Sequence, residues 1–250
     1  MSDGGPVSDL LLSSRAGADG GILVLTMNRP GVRNAMNPEI RELMSDALRA
    51  ADDDPSVRVV ILTGAGTVFS AGMDLKAFAK GGNFGSLTWF HEHGISKPSI
   101  AALNGSAVAG GFELALACDL IVASRDAKVG IPEVKRGLYA AGGGTTLAAR
   151  IPLAAALELG LTGEPVPVAR AAQWGLVNQV VPAGEVLAAA IALAEKIAAN
   201  APLAVAMTKK LMREGRWGTP EETHSVFGSD DAKEGARAFA ERRAPAWTGK

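Results

Sequence analysis

Apolar and polar positions change period several times along the chain. Residues 8–13 and GILVLTM at 21–27 are short apolar runs separated by the glycine-rich AGADGG. They predict two strands joined by a turn. NRPGVRNAMN follows as a loop. Asn37 then reads as an N-cap, with Pro38 at the first helical position and Glu39 in the first turn. Ile40, Leu43, Met44, Ala47 and Leu48 recur at helical spacing and mark the buried face of that helix. VRVVIL at 57–62 is a buried strand by length and β-branching. PSIAALNGSAVAG at 98–110 reads as strand, turn and short strand, GFELALAC at 111–118 as helix, and LIVA at 120–123 as strand. Short helices follow at 153–160 and 169–174, and a strand at VNQVV, 177–181. From Glu185 the pattern is helical, over 185–199, 202–213, 219–227 and 231–243. Strands and helices alternate early and helices fill the last quarter, which is an α/β arrangement with a soft boundary near Asn200–Pro202.

Composition narrows the classes. The chain has 250 residues, 48% hydrophobic and 20% charged, with material for a substantial core. A net charge of −1 supplies no broad basic field, which argues against nucleic acid or an anionic membrane as partner. One cysteine, Cys118, builds neither a disulfide framework nor a zinc cluster, and it reads as a small buried apolar residue. MSDGGPVSDLLLSS lacks the basic and long apolar regions of a signal peptide, and no apolar run is long enough to span a membrane. The expectation is a cytoplasmic protein.

Three stretches carry candidate chemistry. VFSAGMDLK at 68–76 follows the buried strand with small residues, and Ala71 and Gly72 let a ligand approach the backbone. The working atoms there are expected to be main-chain N–H groups. Glu113, in NGSAVAGGFELALACDL, lies in the first turn of a helix starting near Gly110. The orphan N–H groups at that terminus carry a partial positive field suited to a developing oxyanion. Glu133, in VGIPEVKRGLYAAGGGT, lies twenty residues further on. Taken singly, Glu113 reads equally as a first-turn glutamate that satisfies the helix dipole, and Glu133 as a surface residue after a proline. TGAGTVF has Gly64 and Gly66, but Phe69 takes the third glycine position of a dinucleotide loop. His91 and His93 flank Glu92 at a spacing that does not share a helix face, so no metal site is expected there. His224 reads as structural, and Asp119 as a residue that satisfies backbone donors.

Together, FSAGMDLK, NGSAVAGGFELALACDL, GIPEVKRGL, NRPGVRNAMN and SDDAKEGARAFAERRAPAW resemble the enoyl-CoA hydratase/isomerase (crotonase) superfamily across roughly residues 8–248. The resemblance implies an α/β crotonase-like spiral of ββα units over residues 1–200 that holds a CoA-thioester site. It implies a helical C-terminal region over 201–250 that mediates trimerisation, giving a homotrimer or a hexamer formed as a dimer of trimers. The expected partner is an acyl-CoA thioester substrate. No cofactor or metal is implied, since coenzyme A is part of the substrate.

By the same resemblance the backbone amides of Met73 and Gly110 form an oxyanion hole. Glu113 acts as base toward water and Glu133 as the acid that protonates C2. Arg33, Ala35, Ala71, Asp74, Leu75 and Lys76 fall to the CoA portion, joined by Arg242 or Arg243 of a neighbouring subunit. Leu87, Trp89, Phe90 and Tyr139 are expected to wall the acyl pocket. GLYAAGGGT at 137–145 departs from the proline-containing loop common in the family: Ala140 and Ala141 replace a Pro-Gly pair and Tyr139 is added, which puts the pocket's shape in question. The implied activity is hydration of a 2-trans-enoyl-CoA. Isomerisation, dehydration of a special acyl-CoA, thioester hydrolysis and acyl-CoA binding without turnover stand as alternatives.

Overall fold

The computed structural model describes residues 8–250. Residues 1–7, the start of the stretch read above against a signal peptide, lie outside the described residues. Among the described residues ten strands form two sheets. The larger contains β1 (Leu11–Ala16), β2 (Ile22–Met27), β3 (Val59–Gly64), β5 (Ser99–Leu103), β7 (Leu120–Ser124) and β10 (Gln179–Val181), in the order β1-β2-β3-β5-β7-β10. All of its pairs after the β1–β2 hairpin are parallel. The smaller contains β4 (Val68–Ser70), β6 (Ser106–Val108), β8 (Lys128–Gly130) and β9 (Val166–Pro167), in the order β4-β6-β8-β9. β4, β6 and β8 are mutually parallel and β9 closes the edge antiparallel.

The chain thus winds as a spiral. Each turn places one strand in the large sheet (β3, β5, β7), the next in the small sheet (β4, β6, β8), and then a helical segment. The helical segments are α2 (Leu75–Phe78) and α3 (Thr88–His93) after β4, α4 (Gly110–Ala117) after β6, and a 3-10 turn, Pro132–Arg136, after β8. α5 (Leu153–Thr162) and α6 (Val168–Gln173) bracket β9, α1 (Pro38–Asp53) packs under the first turn, and α7 (Val186–Ala198) covers the other face of the large sheet. The expected crotonase-like α/β architecture is the one observed.

Local rules account for the elements. α1 starts at Asn37, whose side chain accepts from Ile40 N, with Pro38 following, as expected. It buries Ile40, Met44, Leu48 and Ala51 in the main core, each large side chain contributing roughly 1.5–3 kcal/mol. β1 begins at Leu11, three residues later than its pattern suggests, because Ser8 Oγ accepts from Leu10 N and Leu11 N and turns the chain first. β3 runs two residues further than VRVVIL because Thr63 satisfies its buried hydroxyl on Ala102 O at 2.9 Å. Cys118 is fully buried, as expected. Asp119 accepts from Ser99 N at 2.8 Å and also meets Lys209 and Arg213 of α8 (Pro202–Glu214), pinning that helix to the core. α9 (Pro220–Phe227) and α10 (Asp230–Glu241) complete the C-terminal region. Among the described residues no single helix is long and apolar enough to cross a membrane.

One buried polar residue frames the region where β4 ends. Asn34 is fully buried at a φ of 53°, a region asparagine tolerates better than most residues. Its Oδ1 accepts from Arg29 N at 2.9 Å, and its Nδ2 donates to Ala65 O at 2.9 Å and Val68 O at 2.7 Å. Its own carbonyl accepts from Ser70 Oγ at 2.8 Å. Asn34→Ala leaves three part-buried backbone groups without this partner, so a loss of roughly 3 kcal/mol is expected. Urea unfolding of both proteins at one protein concentration measures it.

Candidate active site

The parallel order β4-β6-β8 sets three chain exits side by side. β4 runs out into Ala71–Met73, β6 into Ala109–Gly110, and β8 into Ile131–Glu133. Residues distant in sequence therefore meet at one edge.

The corner after β4 answers why small residues follow the buried strand. Gly72 has a φ of 88°, and a Cβ there would lie 2.8 Å from the Ala109 Cβ and 2.9 Å from Gly110 N, so only glycine fits. Met36 N donates to Gly72 O at 2.7 Å and Asp74 N donates to Met36 O at 3.0 Å. In this parallel bridge the Met73 N–H faces away from Met36, and it has no protein acceptor among the described residues. Gly110 N opens α4, where no intrahelical acceptor exists, and it likewise has none. A Cβ on Gly110 would lie 3.6 Å from Met73 N, so the two unpaired amides are neighbours. Ala109, between β6 and α4, holds a φ of 51° and anchors its N–H on Gly130 O of β8 at 2.9 Å. A non-glycine residue there stores strain, and the β8 bond sets the direction of the next amide.

Glu113 lies in the first turn of α4 and is 5% exposed. Its Oε1 accepts from Gly144 N at 3.0 Å. Burial pushes its pKa up, while the amides of Gly144 and Gly142 and the charge of Arg41 act to keep it ionised. Glu133 sits second in its 3-10 turn, directly after Pro132, and its Oε2 is buried without a hydrogen-bond partner. Burial first, and the nearby charge of Glu113 as a smaller cause, raise it to about 7. Two carboxyl groups thus interact in different surroundings. One accepts from the Gly144 amide, and the other has a buried oxygen with no donor.

The remaining expected residues divide. Asp74 caps α2, accepting from Lys76 N at 3.2 Å and Ala77 N at 3.3 Å, and pairs with Arg29 at 3.3 Å. Ala35 O accepts from Arg29 Nη1, and Arg33 O accepts from Ala71 N at 2.9 Å. Arg33, Leu75 and Lys76 are exposed around this corner. Arg243 is engaged by Glu234 and Glu241 of its own C-terminal region. Of the four residues expected to wall the acyl pocket, Leu87, Trp89 and Phe90 pack together and Tyr139 lies apart. Leu87 and Phe90 are fully buried in the main core. Trp89 turns onto α1, donating to Ser45 Oγ at 2.8 Å with Arg49 over its ring. Tyr139 is 70% exposed.

What α3 brings to the site is His91, whose Nδ1 meets Gly142 O beside Glu113. α1 adds Arg41, a buried guanidinium whose Nε donates to Phe84 O at 2.9 Å and whose charge reaches Glu113 and His91. Sequence reading passed over Arg41 because position 41 looks like an ordinary charged place between two apolar ones. For His91 the signal available was the alternation of exposed and core positions in TWFHEH, too short to orient.

The chain has relatives among known proteins. The sequence pattern of the family described as enoyl-CoA hydratase/isomerase matches residues 17–250. The enoyl-CoA hydratase EchA19 of Mycobacterium tuberculosis is 42% identical over 90% of this chain and 92% of its own. A carnitinyl-CoA dehydratase of Salmonella typhi is 40% identical over 93% of this chain and 97% of its own. The crystal structure of an enoyl-CoA hydratase from Mycobacterium tuberculosis H37Rv superposes with a TM-score of 0.90 at 50% identity, covering 97% of this chain and all of that one.

The state of Glu133 has a consequence for stability. A carboxyl whose folded pKa rises from 4.5 to about 7 favours folding below pH 4.5, and that contribution is lost as pH rises to about 7. Glu133→Gln removes this loss. The variant is expected to melt higher than wild type at pH 8 and nearly equal to it at pH 4.5, which thermal unfolding at the two pH values measures.

Proposed function

Because the chain belongs to the enoyl-CoA hydratase/isomerase family, we infer that it is an enoyl-CoA hydratase, adding water reversibly across the double bond of a 2-trans-enoyl-CoA. The observation that carries this reading is the pair of unpaired neighbouring amides, Met73 N–H and Gly110 N–H, together with two interacting carboxyl groups in different surroundings.

The thioester carbonyl oxygen accepts from both amides. Negative charge grows on that oxygen as C3 is attacked, and each such donor typically lowers the barrier by about 3–4 kcal/mol. Glu113, whose ionised form the amides of Gly142 and Gly144 favour against burial, takes a proton from water as the water oxygen bonds to C3. The C2–C3 π electrons move toward the thioester and form an enolate held in the oxyanion hole. Glu133, raised to about 7 chiefly by burial, gives its proton to C2 from its protonated form. A proton returns from Glu113 to Glu133 through solvent or product. Microscopic roles within a coupled pair are assigned on these environments. Isomerisation needs only one carboxyl group, and the presence of both favours hydration. The exposed Arg33 and Lys76 at the corner suit the phosphates of coenzyme A, and Ala35, Ala71, Asp74 and Leu75 supply the surface along which it lies.

Dehydration of a carnitinyl thioester, the activity in the name of relatives at 40% identity, would use the same groups in reverse. The permanent positive charge of Arg41 near Glu113 disfavours a quaternary ammonium in the acyl chain and favours an uncharged enoyl group. The assembly we propose is a trimer or hexamer. Its support is the C-terminal region, which exposes Met212, Trp217 and Phe239 at 79%, 94% and 87%. Sedimentation equilibrium is expected to return three or six times the 25.6 kDa chain mass.

The reading is tested by loss of ultraviolet absorbance of crotonyl-CoA. Wild type is expected to consume it, and Glu113→Gln and Glu133→Gln each to lose about 10²–10⁴-fold in kcat. The pH profile of kcat/KM should fall above about pH 7, where Glu133 loses its proton, and fall again at acid pH, where Glu113 gains one. Thioester binding without consumption of any enoyl-CoA would overturn the assignment.

A further inference from the structure

The mechanism leaves one buried polar group unused. His91 of α3 meets the Gly142 carbonyl oxygen through Nδ1, and its Nε2 is buried without a partner. A carbonyl oxygen only accepts, so Nδ1 carries the hydrogen and Nε2 the lone pair.

The segment it touches needs an anchor. Between Pro132 and Pro152 the chain has no proline, and it has glycine at 137, 142, 143 and 144, so its backbone has little intrinsic rigidity. Yet Gly144 and Gly142 supply the amides that favour the ionised form of Glu113. The Gly142 peptide is wedged between the two side chains. A Cβ there would lie 2.5 Å from His91 Nδ1 and 2.8 Å from Glu113 Oε2.

We propose that His91 is a positioning residue for Glu113: its Nδ1–H grips the Gly142 carbonyl and fixes residues 139–144, so that the amides of Gly142 and Gly144 stay aimed at the catalytic carboxylate. Kinetically this rests on the hydratase reading, whereas the grip itself does not. Arg41 from α1 and Glu113 from α4 face His91, Glu133 acts on the pair through Glu113, and on α3 Glu92 and His93 are exposed and paired with each other. Burial, aided by Arg41, lowers the His91 pKa to about 4, so the imidazole stays neutral across the working range and any change in the pH profile belongs to the carboxyl groups.

The test compares His91→Leu, which removes the donor, with His91→Asn, whose side-chain N–H lies near the place of Nδ1. With crotonyl-CoA, His91→Leu is expected to lose about 10²-fold in kcat with KM little changed, the loss typical of a misplaced catalytic group. Its acid limb should move to higher pH, because Glu113 loses donors to its ionised form. His91→Asn should restore most of kcat and the limb. Hydrogen–deuterium exchange over residues 139–146 should quicken in the leucine variant and return to the wild-type rate in the asparagine variant. Equal losses in both variants, or unchanged exchange with an unshifted limb, would overturn the proposal. A wild type inactive on every enoyl-CoA would instead sink the hydratase reading, and the exchange comparison would still decide the grip.

Discussion

The parallel pairing of three short strands is the constraint on which the site depends. β4, β6 and β8 are each three residues long, yet their common direction sends three chain exits to the same edge. Met73, Gly110 and Glu133 come from those exits, and Glu113 follows one turn of helix after Gly110. Strand geometry alternates direction at every residue, so a slip of one position would turn an amide or a side chain to the opposite face. The bonds from Ala109 N to Gly130 O and from Met36 N to Gly72 O hold the register where the strands themselves are too short to do so.

Holding that edge is costly in conformational terms. Asn34, Ala109 and Gly72 all occupy positive φ within or beside it. Their strain is sustained by neighbours that leave no alternative: Asn34 is bonded to Arg29, Ala65 and Val68, and Gly72 is pressed on Ala109. The large sheet behind, with its almost wholly apolar strands β3, β5 and β7, is the rigid body against which these distortions are set.

Two neighbouring glutamates differ in the donors that meet their carboxyl groups. Burial raises the pKa of both. Glu113 has the amides of the 142–144 segment within reach, and Glu133 has an oxygen with no donor. A shift of one pKa unit corresponds to about 1.4 kcal/mol, so one or two well-aimed N–H groups suffice to separate a base from an acid. Such a division requires the amides to stay in place, which a glycine-rich segment does not ensure without anchors such as Ala140, buried in the core, and His91.

The sequence by itself determined the large elements and the identity of the candidate groups. The buried face of α1, its Asn37 cap, the strands of the large sheet and the C-terminal helices follow from periodicity and capping over many residues, where local preference and burial agree. The residues FSAGMDLK, GGFELALAC and GIPEVKRGL carried Met73, Gly110, Glu113 and Glu133. The tertiary structure alone decided what these groups do to one another. Strands of two or three residues such as β4, β8 and β9 hold too few positions to display a period, and their pairing partners lie tens of residues away. Burial that raises Glu133, the Gly144 amide that holds Glu113, the turning of Trp89 away onto α1 and the arrival of His91 and Arg41 are all contacts across long loops. No local pattern encodes them, because each is set by the packing of the whole spiral.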